Sequence, residues 1–382
     1  MRGSSGRILT THVGSLPRSQ AVTDVLFGRE SGTIGDARAA AAVITGAVTD
    51  VVRRQVETGI DVVSDGETSK ISYATYIADR FAGFGGDTPR DPGQDLVEFP
   101  RFMAKLAASG ATAKYRRPRC TGEISLKDAG PLNDDLGNFR AAVDAAKPVE
   151  AFMNAASPGV LALFQPNDHY PTQDAYLEAL GNAMQAEYEA IVGAGFLLQI
   201  DAPDFGMGRH TMYRSASAAD YLKAAARHVE VLNHALRNLP ADRMRMHICW
   251  GNYEGPHHHD IPLEQLLPVV IKAKPQALLF EASNPRHAHE WTVFRQQNVP
   301  DEKILVPGVL STTTNYVEHP ELVAERIQRF ADIVGRERVI AGTDCGFGTF
   351  GGFGPVDPDI VYMKLGSLVE GARIASARLW KH

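Results

Sequence analysis

The chain has 382 residues, 44% of them hydrophobic, so it is long enough to bury a large core. Its formal net charge of −6 and its pI near 6.1 argue against a nucleic-acid or membrane-surface partner. Only three cysteines occur, and no run approaches the roughly eighteen apolar residues of a membrane span, so we expect a cytoplasmic protein without a disulfide framework.

Strand-like runs alternate with longer helical patterns along most of the chain. Buried strands are predicted at residues 7–12, 60–64, 149–154, 196–201, 246–250, 277–283, 304–309 and 339–346. Helices are predicted at residues 36–58, 172–194, 217–239, 262–273, 286–297, 320–334 and 358–377. Gly59 and Gly195 follow two of these helices, which is typical of a helix end.

Eight strands joined by helical crossovers predict a parallel sheet that closes as a single (β/α)8 TIM barrel, an α/β fold. Residues 81–119 are rich in glycine and proline and predict an elaborated loop insertion after the second strand, with one short helix and an extra strand at 119–124. No internal repeat or low-complexity linker occurs, so residues 1–382 are predicted to form one domain. A doubly wound open sheet is the competing topology, but no glycine-rich phosphate loop follows the first strand.

The run at residues 246–250 (MHICW) carries two candidate metal ligands. Side chains alternate faces along a strand, so His247 and Cys249 would point the same way. An imidazole and a thiolate so placed suit zinc, a borderline-soft ion bound by nitrogen and sulfur. The pair alone is a weak signal, because most histidines and cysteines of an enzyme core are packing residues.

Two further candidate ligands end later apolar runs, Glu281 and Cys345. In a barrel of parallel strands, residues at separate strand ends converge at the carboxyl face. The predicted Zn²⁺ site therefore consists of His247, Cys249, Glu281 and Cys345. A catalytic zinc needs an open position or a displaceable ligand, and the carboxylate of Glu281 is expected to be the one that dissociates.

Other short motifs accompany this quartet: residues 10–17 (TTHVGSLP), 65–67 (DGE), 200–203 (IDAP) and 307–309 (PGV). In this order they resemble the cobalamin-independent methionine synthase superfamily, specifically its C-terminal catalytic half, along nearly the whole chain. The resemblance implies a zinc-dependent thiol alkyltransferase. Its partners would be a small-molecule thiol, most simply homocysteine, and an alkyl or methyl donor such as 5-methyltetrahydrofolate. Whether the chain forms a homo-oligomer stays open.

The resemblance also implies a binding site for the amino-acid part of the thiol. Glu67 and Asp201 match the positions that hold the ammonium of homocysteine, and the backbone from Val13 to Ser15 matches the segment that receives its carboxylate. The alternative is that Glu67 and Asp201 cap helices or pair with arginines. If they bind an ammonium, homocysteine is favoured over a sulfonate thiol such as coenzyme M.

The donor side departs from the family pattern. Thr313 stands where the family has a histidine that is thought to assist proton delivery, and the tryptophan expected to stack on folate is not found at residues 157–160. His12, beside the substrate motif, is a candidate proton donor, and a buried histidine bonded to the backbone is the alternative. Residues 347–354 (FGTFGGFG) predict a mobile lid, with a plain surface turn as the alternative.

The three consecutive histidines 257–259 cannot all face one ion, so a surface loop is expected there.

Three other functions remain open from the sequence alone. An enzyme similar to epoxyalkane:coenzyme M transferase would add a thiolate to an epoxide, and an enzyme similar to uroporphyrinogen decarboxylase would share the barrel but leave the zinc ligands unexplained. A non-catalytic zinc-binding protein on the same scaffold is the last.

Overall fold

A computed structural model describes residues 1–89, 92–108 and 115–380. The strands are β1 Leu9–Thr10, β2 Val62–Val63, β3 Phe81–Gly85, β4 Arg119–Leu126, β5 Glu150–Ala156, β6 Leu197–Asp201, β7 Met244–His247, β8 Ala277–Glu281, β9 Ile304–Gly308 and β10 Ile340–Ala341. The helices are α1 Gln20–Ser31, α2 Ala37–Thr58, α3 Ile77–Arg80, α4 Gln94–Val97, α5 Pro100–Ala108, α6 Gly130–Ala146, α7 Pro158–Phe164, α8 Gln173–Gly193, α9 Ala218–Ala235, α10 Leu263–Val270, α11 Val293–Gln296, α12 Pro320–Val334 and α13 Pro358–Trp380.

The main sheet is parallel and has six strands in the order β2-β5-β6-β7-β8-β9. β1 and β10 form a separate parallel pair. Isolated parallel bridges join this pair to both edges of the sheet, through Thr11 to Val62 on one side and Gly308 to Gly342 on the other. Because both edges reach the same pair, the sheet must curve. Its strands follow chain order, without the reversal that defines a doubly wound sheet.

Several predicted helices are confirmed together with their end signals. The Asp36 carboxylate accepts hydrogen bonds from the first amides of α2, and Gly59 ends that helix at φ 95°. Thr172 caps α8 in the same way, and Gly195 follows it at φ 86°. Within the described ranges, no helix combines the length and the hydropathy that a membrane span requires.

Other elements differ from expectation. The helices α1 and α6 were not predicted, because each carries only a few buried side chains among many exposed polar ones. The predicted helix at 286–297 is reduced to α11 and a preceding single turn of 3₁₀ helix. Most of the parallel strands are shorter than their apolar runs, since the residues at the run ends leave the ladder and form the loops of the site.

The region between β2 and β5 contains an antiparallel hairpin, β3 with β4, in addition to short helices. The predicted extra strand at 119–124 is therefore present as β4. Arg80, at the base of this region, is buried and forms ion pairs with Asp135 at 2.6 Å and Glu187 at 2.7 Å. These ion pairs attach the region to the helices α6 and α8. Residues 90–91 and 109–114 of the predicted loop lie outside the described residues.

A buried arginine fixes β7 against β1 across the sheet interior. The Arg245 guanidinium donates to Thr11 Oγ1 at 2.9 Å and to the His12 carbonyl at 2.7 Å. It also lies 3.9 Å from the ring centroid of Phe152. The segment after β1 is thereby held beside the carboxyl end of β7, where the predicted ligands lie.

Candidate metal and substrate site

Three of the four predicted metal ligands meet at the carboxyl ends of the strands. A nitrogen of His247 and the Sγ atoms of Cys249 and Cys345 all lie within 4.8 Å of one another, and all three residues are buried. His247 ends β7, which spans 244–247, whereas the strand was predicted at 246–250 with both His247 and Cys249 on it. Cys249 lies two residues beyond that strand and Cys345 four residues beyond β10, so the loops that follow the strands supply both thiols.

The chemistry of the three side chains fits a soft or borderline metal ion. Burial, and then the nearby Arg245 charge, lower the pKa of His247 to about 3, so its imidazole is neutral. Among the described residues neither ring nitrogen finds a partner with hydrogen-bond geometry, which is uncommon for a buried imidazole and suits a metal ligand. The Cys249 thiol donates to Cys345 Sγ at 3.7 Å, and this bond together with burial raises the pKa of Cys249.

Glu281, the predicted fourth ligand, ends β8 beside the cluster but is not among the atoms within 4.8 Å of one another. Its Oε1 accepts a hydrogen bond from the Trp250 amide at 2.8 Å, and its Oε2 accepts one from Asn284 Nδ2 at 2.6 Å. The carboxylate is thus held next to the thiols by two donors. Its role as a ligand stays a prediction.

Asp344 organises the turn that follows Glu281, a role that was not predicted. Its carboxylate accepts hydrogen bonds from the amides of Ala282, Ser283 and Asn284, each at 2.9 Å. Burial raises its pKa to about 7. Since Asp344 immediately precedes Cys345, these bonds fix the loop of one thiol to the strand end that carries Glu281.

A cavity of about 150 Å³ opens at the three-residue cluster. It also contains the predicted substrate residues and a wall of aromatic side chains. The residues that line it include His247, Cys249, Cys345, Val13, Ser15, Glu67, Asp201, Tyr73, Phe164, Tyr253, Phe350 and Phe353. Candidate metal ligands and candidate ammonium ligands therefore line one cavity.

The two carboxylates of this cavity are buried and electrostatically strained. Burial and repulsion by Asp201 raise the pKa of Glu67 to about 8, and burial raises the pKa of Asp201 to about 6. Oε2 of Glu67 is buried and finds no hydrogen-bond partner in the described part of the chain. Glu67 also has a left-handed backbone at φ 53°, which a non-glycine residue adopts at a cost. The arrangement is suited to a cation placed between the carboxylates.

Two amides that sequence reasoning missed orient Asp201. Asn154 Nδ2 donates to its Oδ2 and Gln199 Nε2 to its Oδ1, both at 2.8 Å. Both amides also donate to the Val13 carbonyl. The sequence could have indicated both amides, because each is a polar residue within an otherwise apolar strand, as in AFMNAA and FLLQID. A buried amide needs hydrogen-bond partners.

The loop after β1 offers fewer free donors than predicted. The Val13 amide donates to Thr343 Oγ1 at 3.2 Å and the Gly14 amide to His12 Nδ1 at 3.1 Å. No hydrogen bond of the Ser15 amide or hydroxyl is found within the described ranges, and Ser15 lines the cavity. A Cβ on Gly346 would collide with Ser15 Oγ, so glycine there leaves the hydroxyl accessible. Ser15 is the donor of this loop that a carboxylate can reach.

His12 lies behind the loop and not in the cavity. Its Nε2 is 2.6 Å from Gln55 Oε1, and its Nδ1 accepts the Gly14 amide. Burial lowers its pKa to about 4, so the ring is neutral, and these partners assign the proton to Nε2. The contacts favour a structural role for His12 over the predicted role of proton donor.

The predicted lid residues close one side of the cavity. Phe350 stacks on Tyr73 with ring centroids 5.7 Å apart, and the Gly351 amide donates to the Ile71 carbonyl at 2.7 Å. Asn252 Nδ2 donates to Thr349 Oγ1 at 2.8 Å.

Thr313, at the position of the family histidine, lines an adjacent cavity of about 380 Å³ that also contacts Glu281 and Cys345.

Comparisons with known proteins show which family the chain resembles. A family model described as "Cobalamin-independent synthase, Catalytic domain" matches residues 8–90 and 146–354, more than half of the chain. A methionine synthase of Saccharolobus solfataricus is 24% identical over 375 residues, covering 97% of this chain and 95% of the relative. A methionine synthase of Sulfolobus acidocaldarius is 23% identical over 373 residues, covering 97% and 93%.

Solved structures show a similar fold. The B12-independent methionine synthase of Shewanella sp. W3-18-1, in complex with selenomethionine, has a TM-score of 0.75 at 17% identity, covering 98% of this chain and all of the other. The putative vitamin-B12 independent methionine synthase of Listeria monocytogenes has a TM-score of 0.66 at 18% identity, covering 96% and 98%. This chain therefore belongs to the cobalamin-independent methionine synthase superfamily, and it corresponds to the catalytic domain of that family.

Proposed function

We propose that this protein is a zinc-dependent transferase that methylates the sulfur of homocysteine to form methionine. The observation that carries the proposal is one shared cavity, in which the cluster of His247, Cys249 and Cys345 faces the carboxylates of Glu67 and Asp201. The curated relatives named methionine synthase support the same reaction. An amino-acid thiol has the two groups that this cavity would bind, a sulfur and an ammonium.

His247, Cys249 and Cys345 would hold the zinc ion, with Glu281 as a fourth and displaceable ligand. Zinc in this position would act as a Lewis acid that deprotonates a bound substrate thiol at neutral pH. The Trp250 amide and Asn284 Nδ2 already bind the Glu281 carboxylate. These two donors can hold the carboxylate aside while a substrate sulfur occupies its place.

The rest of the cavity would orient homocysteine. Glu67 and Asp201 bind its ammonium, and the amide and hydroxyl of Ser15 bind its carboxylate. The aromatic wall formed by Tyr73, Phe350 and its neighbours excludes water from the reacting sulfur. During transfer a bond forms between sulfur and the methyl carbon, the bond from that carbon to the donor breaks, and the donor keeps the electron pair.

The donor is proposed to be 5-methyltetrahydrofolate or another methyl donor. A tetrahydrofolate leaving group needs a proton, and neither Thr313 nor the buried, neutral His12 is an obvious source of one. Donors whose leaving group needs no proton therefore belong in the assay.

We also propose that β1, β2 and β5 to β10 close into one (β/α)8 barrel and that residues 1–382 form a single domain. The bridges from Thr11 to Val62 and from Gly308 to Gly342 support closure, since they join the β1 and β10 pair to both sheet edges. A closed barrel brings the ends of β7, β8 and β10 to one face, as the zinc site requires.

X-ray absorption at the zinc edge tests which substrate thiol binds the zinc ion. Zinc-loaded protein is measured alone, with homocysteine and with coenzyme M, and the proposal expects an added sulfur ligand with homocysteine only. Glu67→Gln is the matched control, which should keep zinc but need a higher homocysteine concentration. Methionine formation is then assayed with methyltetrahydrofolate and with methylcobalamin. An added sulfur with coenzyme M but not homocysteine would instead support the epoxide-type enzyme, and no zinc at all would exclude both.

A further inference from the structure

The three consecutive histidines divide into two environments. His257 has a left-handed backbone at φ 52° and turns inward, with Nδ1 3.0 Å from Asp260 Oδ2 and Nε2 3.0 Å from the Tyr253 carbonyl. His258 and His259 lie nearer the surface, with side chains 35% and 30% exposed. This division agrees with the prediction that the three histidines cannot all bind one ion. That prediction leaves open whether His258 and His259 bind one together.

His258 and His259 converge on one carboxylate that is distant in sequence. His258 Nε2 lies 2.7 Å from Glu98 Oε2, and His259 Nε2 lies 2.6 Å from Glu98 Oε1. The ligand atoms of all three residues lie within 4.8 Å of one another, and the two imidazole centroids are 4.1 Å apart. The left-handed backbone of His257 immediately precedes the two residues.

We propose that Glu98, His258 and His259 form a second metal site, which takes zinc or another borderline divalent transition ion with water completing the coordination. Two imidazoles and one carboxylate are a ligand set that zinc, nickel, copper and ferrous iron accept, whereas magnesium and calcium prefer oxygen ligands only. The site is separate from the thiol cluster and does not depend on the proposed methyl transfer.

The second ion would join two segments at the mouth of the first site. Glu98 directly follows α4, and the histidines belong to the loop after β7. The same two segments are also joined by Asp95, whose Oδ2 accepts hydrogen bonds from the Tyr253 hydroxyl at 2.6 Å and from the His257 amide at 3.1 Å. Since Tyr253 lines the catalytic cavity, a metal on the outer side of this contact would stabilise one wall of that cavity.

Affinity should be lower than at the thiol cluster. No partner for Nδ1 of His258 or His259 is found in the part of the chain that the structure describes, so solvent supplies their outer hydrogen bonds. This site also offers no thiolate, and its side chains are 30–42% exposed, whereas the thiol cluster is buried and supplies two sulfur ligands. The second ion should therefore exchange readily, and dialysis without metal should remove it first.

Metal counting on the full chain tests the proposal. Protein with zinc in the first site is dialysed against micromolar free zinc, and its zinc content is measured. We expect two ions per chain for the parent protein, and one for Glu98→Gln and for the double variant His258→Ala and His259→Ala. His234→Ala removes an exposed histidine on α9 and is the matched control, with two ions expected.

Cobalt substitution then separates the two sites by spectrum. The thiol cluster gives intense sulfur-to-cobalt charge-transfer bands, whereas the Glu98 site has no sulfur and gives only weak ligand-field bands. Cys345→Ser should weaken the first set and leave the second. A single ion in the parent protein at micromolar zinc, or a second ion that persists in Glu98→Gln and in the double variant, overturns the proposal.

Discussion

The Sγ atoms of Cys249 and Cys345 lie 3.7 Å apart, although 96 residues separate the two cysteines in sequence. Both thiols are buried, next to the imidazole of His247, whose nitrogens find no partner among the described residues. Free thiols in this position gain little from the weak bond that joins them. A metal ion would satisfy all three side chains at once.

Loss of one thiol should remove the metal. We expect Cys345→Ser to lower zinc affinity by more than about 100-fold and methionine formation in parallel, because a neutral hydroxyl is a poor zinc ligand. Zinc content after dialysis against a buffered range of free zinc measures the change. Cys120→Ser is the control, since Cys120 is buried outside the cluster and its thiol donates to the Gly122 carbonyl. Equal zinc content in both variants would contradict the assignment of the cluster.

Affinity for an amino acid should depend on pH through Glu67 and Asp201. Their pKa values are raised to about 8 and about 6, so both carboxylates ionise as pH rises from 6 to 8. An amino-acid ammonium stays protonated over this range, so its binding should strengthen with pH. Methionine is the better probe, because it lacks a thiol whose own ionisation would add to the effect.

Isothermal titration with methionine at several pH values gives the measurement. In Glu67→Gln we expect affinity about 10–100-fold weaker at pH 8, since a hydrogen bond to a charged group contributes about 1.5–3 kcal/mol. The pH dependence between 7 and 8 should largely disappear in this variant. A dependence that is unchanged from the parent protein would remove Glu67 from the ammonium site.

The same substitution should stabilise the free protein. A folded pKa of about 8 lies above the ordinary value of 4.5, so the folded state holds this proton more tightly than the unfolded state does. Stability from this group is therefore lost as pH rises from 4.5 towards 8. We expect Glu67→Gln to raise the free energy of unfolding at pH 8 by about 1–3 kcal/mol. Denaturant titrations at pH 5 and pH 8 check this, with a difference expected at pH 8 only.

His12 should matter for folding more than for proton transfer. We expect His12→Ala to lower stability by about 2–4 kcal/mol, because it leaves a cavity beside Phe152 and the Gly14 amide without its acceptor. The pH profile of kcat between pH 5 and 8 should keep its shape, since the pKa of His12 is about 4. The proton-donor role would be supported instead if His12→Ala lowered kcat strongly, left stability unchanged and removed one limb of the pH profile of kcat.

Much of the fold could be predicted because its signals are local. The apolar runs at 196–201 and 277–283 are confirmed as β6 and β8, and Asp36 and Gly59 lie at the ends of α2 as helix-end signals require. The cluster of His247 and Cys249 was also anticipated, although alternation along a strand is not the reason that they meet. β7 ends at His247, and Cys249 is brought back by the loop that follows.

The features that could not be predicted depend on distant segments. The amides of Asn154 and Gln199 orient Asp201 only because β5 and β6 are paired in one register. Glu98 meets His258 across 160 residues, through a region of the chain with no periodic pattern. No spacing rule connects such pairs, because their contact is set by how separate loops pack.

The amino-acid sequence by itself determined the alternation of strands and helices, the family and the residue types able to bind zinc, since propensity, periodicity and motif order are read along the chain. Only the tertiary structure decided which of those residues share a cavity, that Glu281 is held by Trp250 and Asn284, and that His12 lies behind the loop. The physical reason is that burial, hydrogen-bond partners and pKa arise from neighbours in space, which the curvature of the sheet brings together.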